Sequence, residues 1–127
     1  MIGEWSITIP APALWLNSNQ RRNRRGDAPI VKAWRDVTAW RARSAKMPKL
    51  GVCRITATLH WTDRRRRDSG NYYPTIKAAI DGLVDAEVLD DDDDLHVLSL
   101  TMMRGEQVPR RPDGVQGSLT LTVREAL

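Results

Sequence analysis

Apolar and polar residues alternate near the start of the chain: Trp5, Ile7 and Ile9 are interleaved with Glu4, Ser6 and Thr8. A period of two predicts a half-buried strand. PAPALW follows, and Pro10 and Pro12, with no N–H to give to a ladder, end it. NSNQRRNRRGD (17–27) is polar and turn-forming; Asp27 reads as the N-cap of a first helix and Pro29 as part of its first turn. Ile30, Val31, Trp34, Val37 and Thr38 then recur at helical spacing, carrying that helix to about Ala45, before Pro48 and Gly51. Cys53, Ile55, Ala57, Leu59 and Trp61 alternate with Arg54, Thr56, Thr58 and His60, the cleanest strand in the chain.

Pro74 suits the first turn of a second helix. Its buried stripe is Ile76, Ile80, Leu83 and Val84, while Lys77, Asp81 and Asp85 fall four apart on a polar face. Leu98, Leu100 and Met102 alternate with Ser99 and Thr101. A Pro/Arg/Gly loop (104–117) follows, and Leu119, Leu121 and Val123 then alternate with Thr120 and Thr122. The order β-α-β-α-β-β predicts one α+β domain over 1–127, a mixed four-stranded sheet with two helices packed on it.

Composition narrows the class. A chain of 127 residues with 41% hydrophobic content can bury a single core. The lone cysteine, Cys53, excludes an internal disulfide and a cysteine-rich zinc site and fits a small core position. His60 and His96 lack zinc-ligand spacing. No apolar run is long enough to span a membrane and no basic-then-apolar leader opens the chain, so an intracellular, cytoplasmic protein is expected.

Charge changes the picture more. The net charge is +4, but residues 1–67 carry 15 Lys/Arg against 4 Asp/Glu, and residues 68–127 carry 5 against 12. RRRRDSGN (64–71) and DDDDD (90–94) concentrate the opposition on either side of the second helix. Arginines grip phosphate oxygens bidentately, so Arg64, Arg65, Arg66 and Arg67, with Arg21, Arg22, Arg24 and Arg25 upstream, point to a nucleic-acid partner. An acidic patch beside them repels that partner unless a hard divalent cation sits on the carboxylates. Asp68 follows a strand end and the aspartate run follows a helix end, so both can meet at one edge of the sheet. Lys77, on the helix between, is placed to stabilise charge on a phosphate, or simply to pair with Asp81. A solvated acidic turn and a solvated basic loop are the plain alternatives for the two runs. Trp15, beside the basic loop, is the candidate for stacking on a base; Trp40 is a candidate for a subunit interface. An RNA-binding module is a weaker reading, because no aromatic RNA-recognition strand is present.

Taken in order, these segments resemble the RusA family of Holliday junction resolvases of phages and prophages. ITIPAPALWLNSNQR resembles the family's opening strand, proline turn and Asn-rich loop. DRRRRDSGN resembles its arginine-then-aspartate segment, which usually ends D-x-D-N, and PTIKAAIDGLVDAEVLDDDDD resembles the following helix and terminal acidic pair. The resemblance implies a homodimeric endonuclease, encoded by a phage or prophage and acting in the bacterial cytoplasm. It would nick four-way DNA junctions symmetrically by Mg²⁺-dependent phosphodiester hydrolysis, with Mn²⁺ as a substitute. By position, Asp68 matches the first metal aspartate, Asn71 the amide after the second, and Lys77 the catalytic lysine. Asp92, with Asp91 next, matches the third metal aspartate. Gly70 stands where the second aspartate is expected. That departure implies a weakened metal site unless Asp91 or Asp93 fills in, and it raises the alternative of a non-catalytic junction-binding protein of the same fold.

Overall fold

The computed structural model describes residues 3–20 and 24–126, with Arg24 described in its backbone only. The elements are β1 (Glu4–Pro10), α1 (Arg24–Ser44), β2 (Cys53–His60), a 3-10 turn (Ser69–Tyr72), α2 (Tyr73–Asp85), β3 (Val97–Arg104) and β4 (Ser118–Glu125). The strands form one sheet in the order β1-β4-β2-β3. β4 pairs antiparallel with both β1 and β2, while β2 and β3 run parallel. The fold is the expected α+β arrangement: a mixed four-stranded sheet with two helices. The parallel pair follows from connectivity, because α2 carries the chain from the end of β2 back to the start of β3.

Register explains which side of the sheet is covered. Ile7, Leu121 and Ala57 lie opposite one another, as do Ile9, Leu119 and Leu59, so the apolar sets of three strands share one face. α1 and α2 cover that face: Trp34, Thr38, Ile76 and Leu83 are fully buried with them. The other face is a field of hydroxyls, with Ser6 bonded to Thr122 and Thr8 to Thr120, each at 3.0 Å. Cys53 is buried, and burial pushes its thiol up to about 11, so it behaves as a small apolar residue.

Three expectations need correction. First, α1 begins at Arg24, so Asp27 lies inside the first turn and is not the N-cap, and Pro29 falls within the helix. Second, Leu98 does not share the inward face with Leu100 and Met102. Cys53 pairs with Val97 and Arg54 with Ser99, so Leu98 is the extra residue of a bulge and is 45% exposed. Third, Trp15 is only 8% exposed and packs against Trp34, Trp61 and Tyr72 at centroid distances of 4.8, 4.6 and 6.0 Å. It belongs to the core and offers no open face for a base.

The two helices cross closely at Gly82, where an added Cβ would stand 2.6 Å from the Arg35 carbonyl oxygen and 2.8 Å from the Thr38 Cβ. At the same crossing the Thr38 hydroxyl is buried without a hydrogen-bond partner among the described residues. Opposite outcomes are expected at these neighbours. Gly82→Ala forces the helices apart at about 2 kcal/mol of overpacking, of which about 1 kcal/mol is offset by better helix propensity. Thr38→Val keeps the shape, removes the unsatisfied hydroxyl, and is expected to gain about 1 kcal/mol, or about 4 °C in Tm. Thermal denaturation of both variants checks the crossing; a rise for Gly82→Ala would mean the helices have room to spare.

Candidate active site

The end of β2 delivers the chain into the arginine segment, and that segment is fastened rather than loose. Asp63 takes the Arg67 guanidinium through both oxygens, at 2.6 and 3.3 Å, and accepts the Arg65 N–H at 3.0 Å. Gln116 donates to the same carboxylate at 3.3 Å. Arg104, at the end of β3, donates to the backbone carbonyls of Arg65 and Asp63 at 2.7 and 3.0 Å. The Arg67 guanidinium also lies over the Trp61 ring, 4.4 Å from its centroid. Hydrogen bonds from Arg67 and from the Arg65 backbone hold the Asp63 carboxyl well below the usual carboxylate range. Asp63 in turn raises Arg67.

This arrangement divides the basic residues. The Arg67 side chain is 10% exposed and committed to Asp63, so it is structural and does not face solvent phosphates as expected. Arg64, Arg65 and Arg66 are exposed. Arg25 is exposed in the first turn of α1, while Arg21, Arg22 and the Arg24 side chain lie outside the described residues. The loop before them is anchored on α2. The Thr75 hydroxyl donates to the Leu16 carbonyl at 2.9 Å and accepts the Leu16 N–H at 2.6 Å, and the Ser18 N–H donates to the Asn71 carbonyl at 2.8 Å.

Asp68 precedes the 3-10 turn with extended backbone, is exposed, and makes no side-chain hydrogen bond to cap that turn. It shares a hollow of about 290 Å³ with Asn17, Arg66, Arg67, Asn71 and Tyr72. Gly70 sits in the turn with nothing within 4 Å of where a Cβ would be.

The aspartate run supplies the second half. It folds back over α2, and Asp92 pairs with Lys77, which also donates to Asp81 at 2.8 Å. Lys77 is the fifth residue of α2, about 6 Å along the axis from its start, so the acids reach the half of the helix that follows Asp68. Partial burial pulls the Lys77 ammonium down, but its hydrogen bonds to Asp81 and Asp92 outweigh that and hold the group above the usual lysine range. Asp92 is lowered, chiefly by Lys77. Asp91 accepts the Asp92 N–H at 2.7 Å. Thus Lys77, Asp81, Asp91 and Asp92 are brought together, and Arg66, Asp68 and Asn71 are brought together beside Asn17. Among the described residues, no three His, Cys, Asp or Glu side chains converge as a metal-holding group.

No known family's model matches the chain, and no curated protein matches it. Function therefore rests on the chemistry of the site. Sequence reading missed Asp63, Arg104 and Gln116. Only Asp63 left a signal, as a carboxylate four residues before Arg67.

The turn also carries a titrating contact. His96 Nδ1 lies 2.6 Å from Asp93 Oδ1, and this hydrogen bond, with the charges of Asp93, Asp90 and Asp91, raises the imidazole above its ordinary value of 6.5. A raised folded-state pKa means the contact stabilises the turn fully below the unfolded value and is lost as pH rises through the folded one. An NMR titration is expected to place the His96 midpoint above 6.5, and Asp93→Asn to lower it. A parent midpoint at or below 6.5 would contradict the contact.

Proposed function

We propose that the chain is a structure-specific endonuclease, similar to the RusA resolvases, that nicks four-way DNA junctions with Mg²⁺, slowly because of Gly70. The observation that carries this reading is the return of the acidic turn onto α2. It sets Asp92 on Lys77 while Asp68 stands exposed at the head of the same helix, without a capping hydrogen bond to the turn and beside exposed arginines. A hydrated ion needs only one or two carboxylates, with water completing its shell. Asp68 and Asp92 would hold it, with Asp91 next to Asp92. When bound, Mg²⁺ or Mn²⁺ supplies a polarised water and neutralises charge on the phosphate.

The remaining work falls to the chain's own residues. Arg64, Arg65, Arg66 and Arg25 hold the phosphates, and Asn71 lies beside Asp68 in the same hollow. Lys77, kept protonated by its two acids, acts as a fixed cation against developing charge and not as a base. A two-fold homodimer suits a junction whose opposing strands present equivalent phosphates. Trp40, 61% exposed, is the proposed anchor of that contact. Among the described residues no helix is long and apolar enough to cross a membrane. Action in the cytoplasm of a bacterial host, from a phage or prophage, remains part of this proposal.

Gly70 favours a second reading, in which the same surface binds junctions without cutting them. The open space at Gly70 makes the two separable, because Gly70→Asp restores a carboxylate with no clash. A synthetic four-way junction incubated with Mg²⁺ or Mn²⁺ is expected to give paired symmetric nicks. Asp68→Asn and Asp92→Asn are each expected to slow cutting about 100-fold or more while sparing binding, and Gly70→Asp to speed it. Absence of nicks from both the parent and Gly70→Asp, with junction affinity indifferent to Mg²⁺, would leave only the binding reading.

A further inference from the structure

Three hollows lie side by side along the arginine segment. One, about 270 Å³, lies between Arg65 and the β3–β4 loop at Arg110. The next, about 290 Å³, is lined by Trp15, Trp61, Asn17 and Gln20, with Tyr72 at its side. The third, about 290 Å³, is the one that holds Asp68. They share walls: Arg65, Gly114 and Gln116 line the first and second, and Asn17, Arg67 and Tyr72 line the second and third. The shared walls set the three hollows in a row from Arg110 to Asp68.

The lining divides into committed and available groups. Arg67 is taken by Asp63, and Arg111 is taken by the Ala11 carbonyl at 2.6 Å and by Asp113 at 2.7 Å. Arg65, Arg66 and Arg110 are exposed along the rim. The β3–β4 loop that carries Arg110 is itself pinned, with the Val108 N–H on the Trp61 carbonyl at 2.9 Å and Gln107 on the Thr62 carbonyl at 3.0 Å. Gln116 closes the wall by accepting the Thr62 N–H at 3.2 Å. A cationic rim over an amide-lined floor, with the half-buried Tyr72 ring at its side and Trp15 and Trp61 buried beneath, suits a ligand with an anionic backbone and flat polar units. Each hollow lies near the lower bound of about 300 Å³ for ligand pockets, a size for single units and not for paired strands.

We propose that this row of hollows acts as one groove and holds one strand of nucleic acid, with Arg110 as its far phosphate contact and the Asp68 hollow as its near end. The inference rests on the endonuclease reading only in treating the Asp68 end as the reactive one. It adds a contact on the β3–β4 loop, far in sequence from both basic runs.

Binding is measured without metal, in EDTA, so that cutting does not enter. The probe is a fluorescent oligothymidylate titrated across a salt series. Arg110→Gln and Arg65→Gln are each expected to weaken binding about 3- to 10-fold and to flatten the salt dependence by about 0.7 per lost phosphate contact. Lys46→Gln, in the α1–β2 connection at the far end of β2, removes the same charge and is expected to change neither. Overturning results are an unchanged affinity and slope in the Arg65→Gln/Arg110→Gln double variant, or an equal loss in Lys46→Gln, which would make the effect one of net charge. Intact groove binding without junction nicking would sink the endonuclease reading alone. Nicking that persists with strand affinity indifferent to Arg110 and Arg65 would sink the groove alone.

Discussion

Four consecutive arginines repel one another, and the segment after β2 adopts one conformation because a single carboxylate, Asp63, removes the last of them from the run. The pairing is bidentate, and the guanidinium plane is also laid on Trp61, so the side chain is fixed in orientation as well as position. The same carboxylate accepts a backbone N–H two residues on, which bends the segment, and Arg104 ties its carbonyls to the end of β3. Asp68, the 3-10 turn and the start of α2 inherit their places from that bend. Without it, the exposed arginines and the acid behind them would have no set relation to the helix.

The aspartate run is handled by dispersal. Asp90 pairs with Lys49 at 2.7 Å, Asp91 accepts the Asp92 N–H, Asp92 pairs with Lys77, and Asp93 takes His96 and the Leu95 N–H. These four acids find different partners, so the like charges diverge around the turn instead of facing one another. Opposed runs in one small chain are therefore not two uniform patches. The aspartates are mostly consumed locally, whereas the arginine run gives up only Arg67 and leaves Arg64, Arg65 and Arg66 exposed beside Asp68 on the same segment.

The periodicities carried the fold. Alternation over Cys53–Trp61 and Leu119–Val123 and the stripe at Ile76, Ile80 and Leu83 are local signals, and the matching residues are buried. The misreadings share a cause, since each depended on a partner distant in sequence. Leu98 turns outward because β2 and β3 slip by one residue at Cys53 and Arg54. Trp15 is buried because Trp34 and Trp61 arrive from α1 and β2. Arg67 looked like its three neighbours until Asp63 and Trp61 claimed it. At the site, Lys77 with Asp81 was legible from i,i+4 spacing, and Asp92 was picked by position, but nothing in the spacing said that a turn fifteen residues on would close onto the same ammonium.

The two acids on Lys77 are not equivalent, and the difference bears on how the site can work. Asp81 rides the same helix four residues away, so its distance to Lys77 is set by helix geometry and survives any movement of the turn. Asp92 arrives from a connection outside the helices and strands, and its position depends on the Asp91 hydrogen bond and on Lys77 itself. Lys77 therefore stays charged and oriented if Asp92 turns away, whereas Asp92 loses its principal cation. Asp81 is thus an anchor built into the helix, whereas Asp92 is a contact that exists only while the turn stays folded over α2.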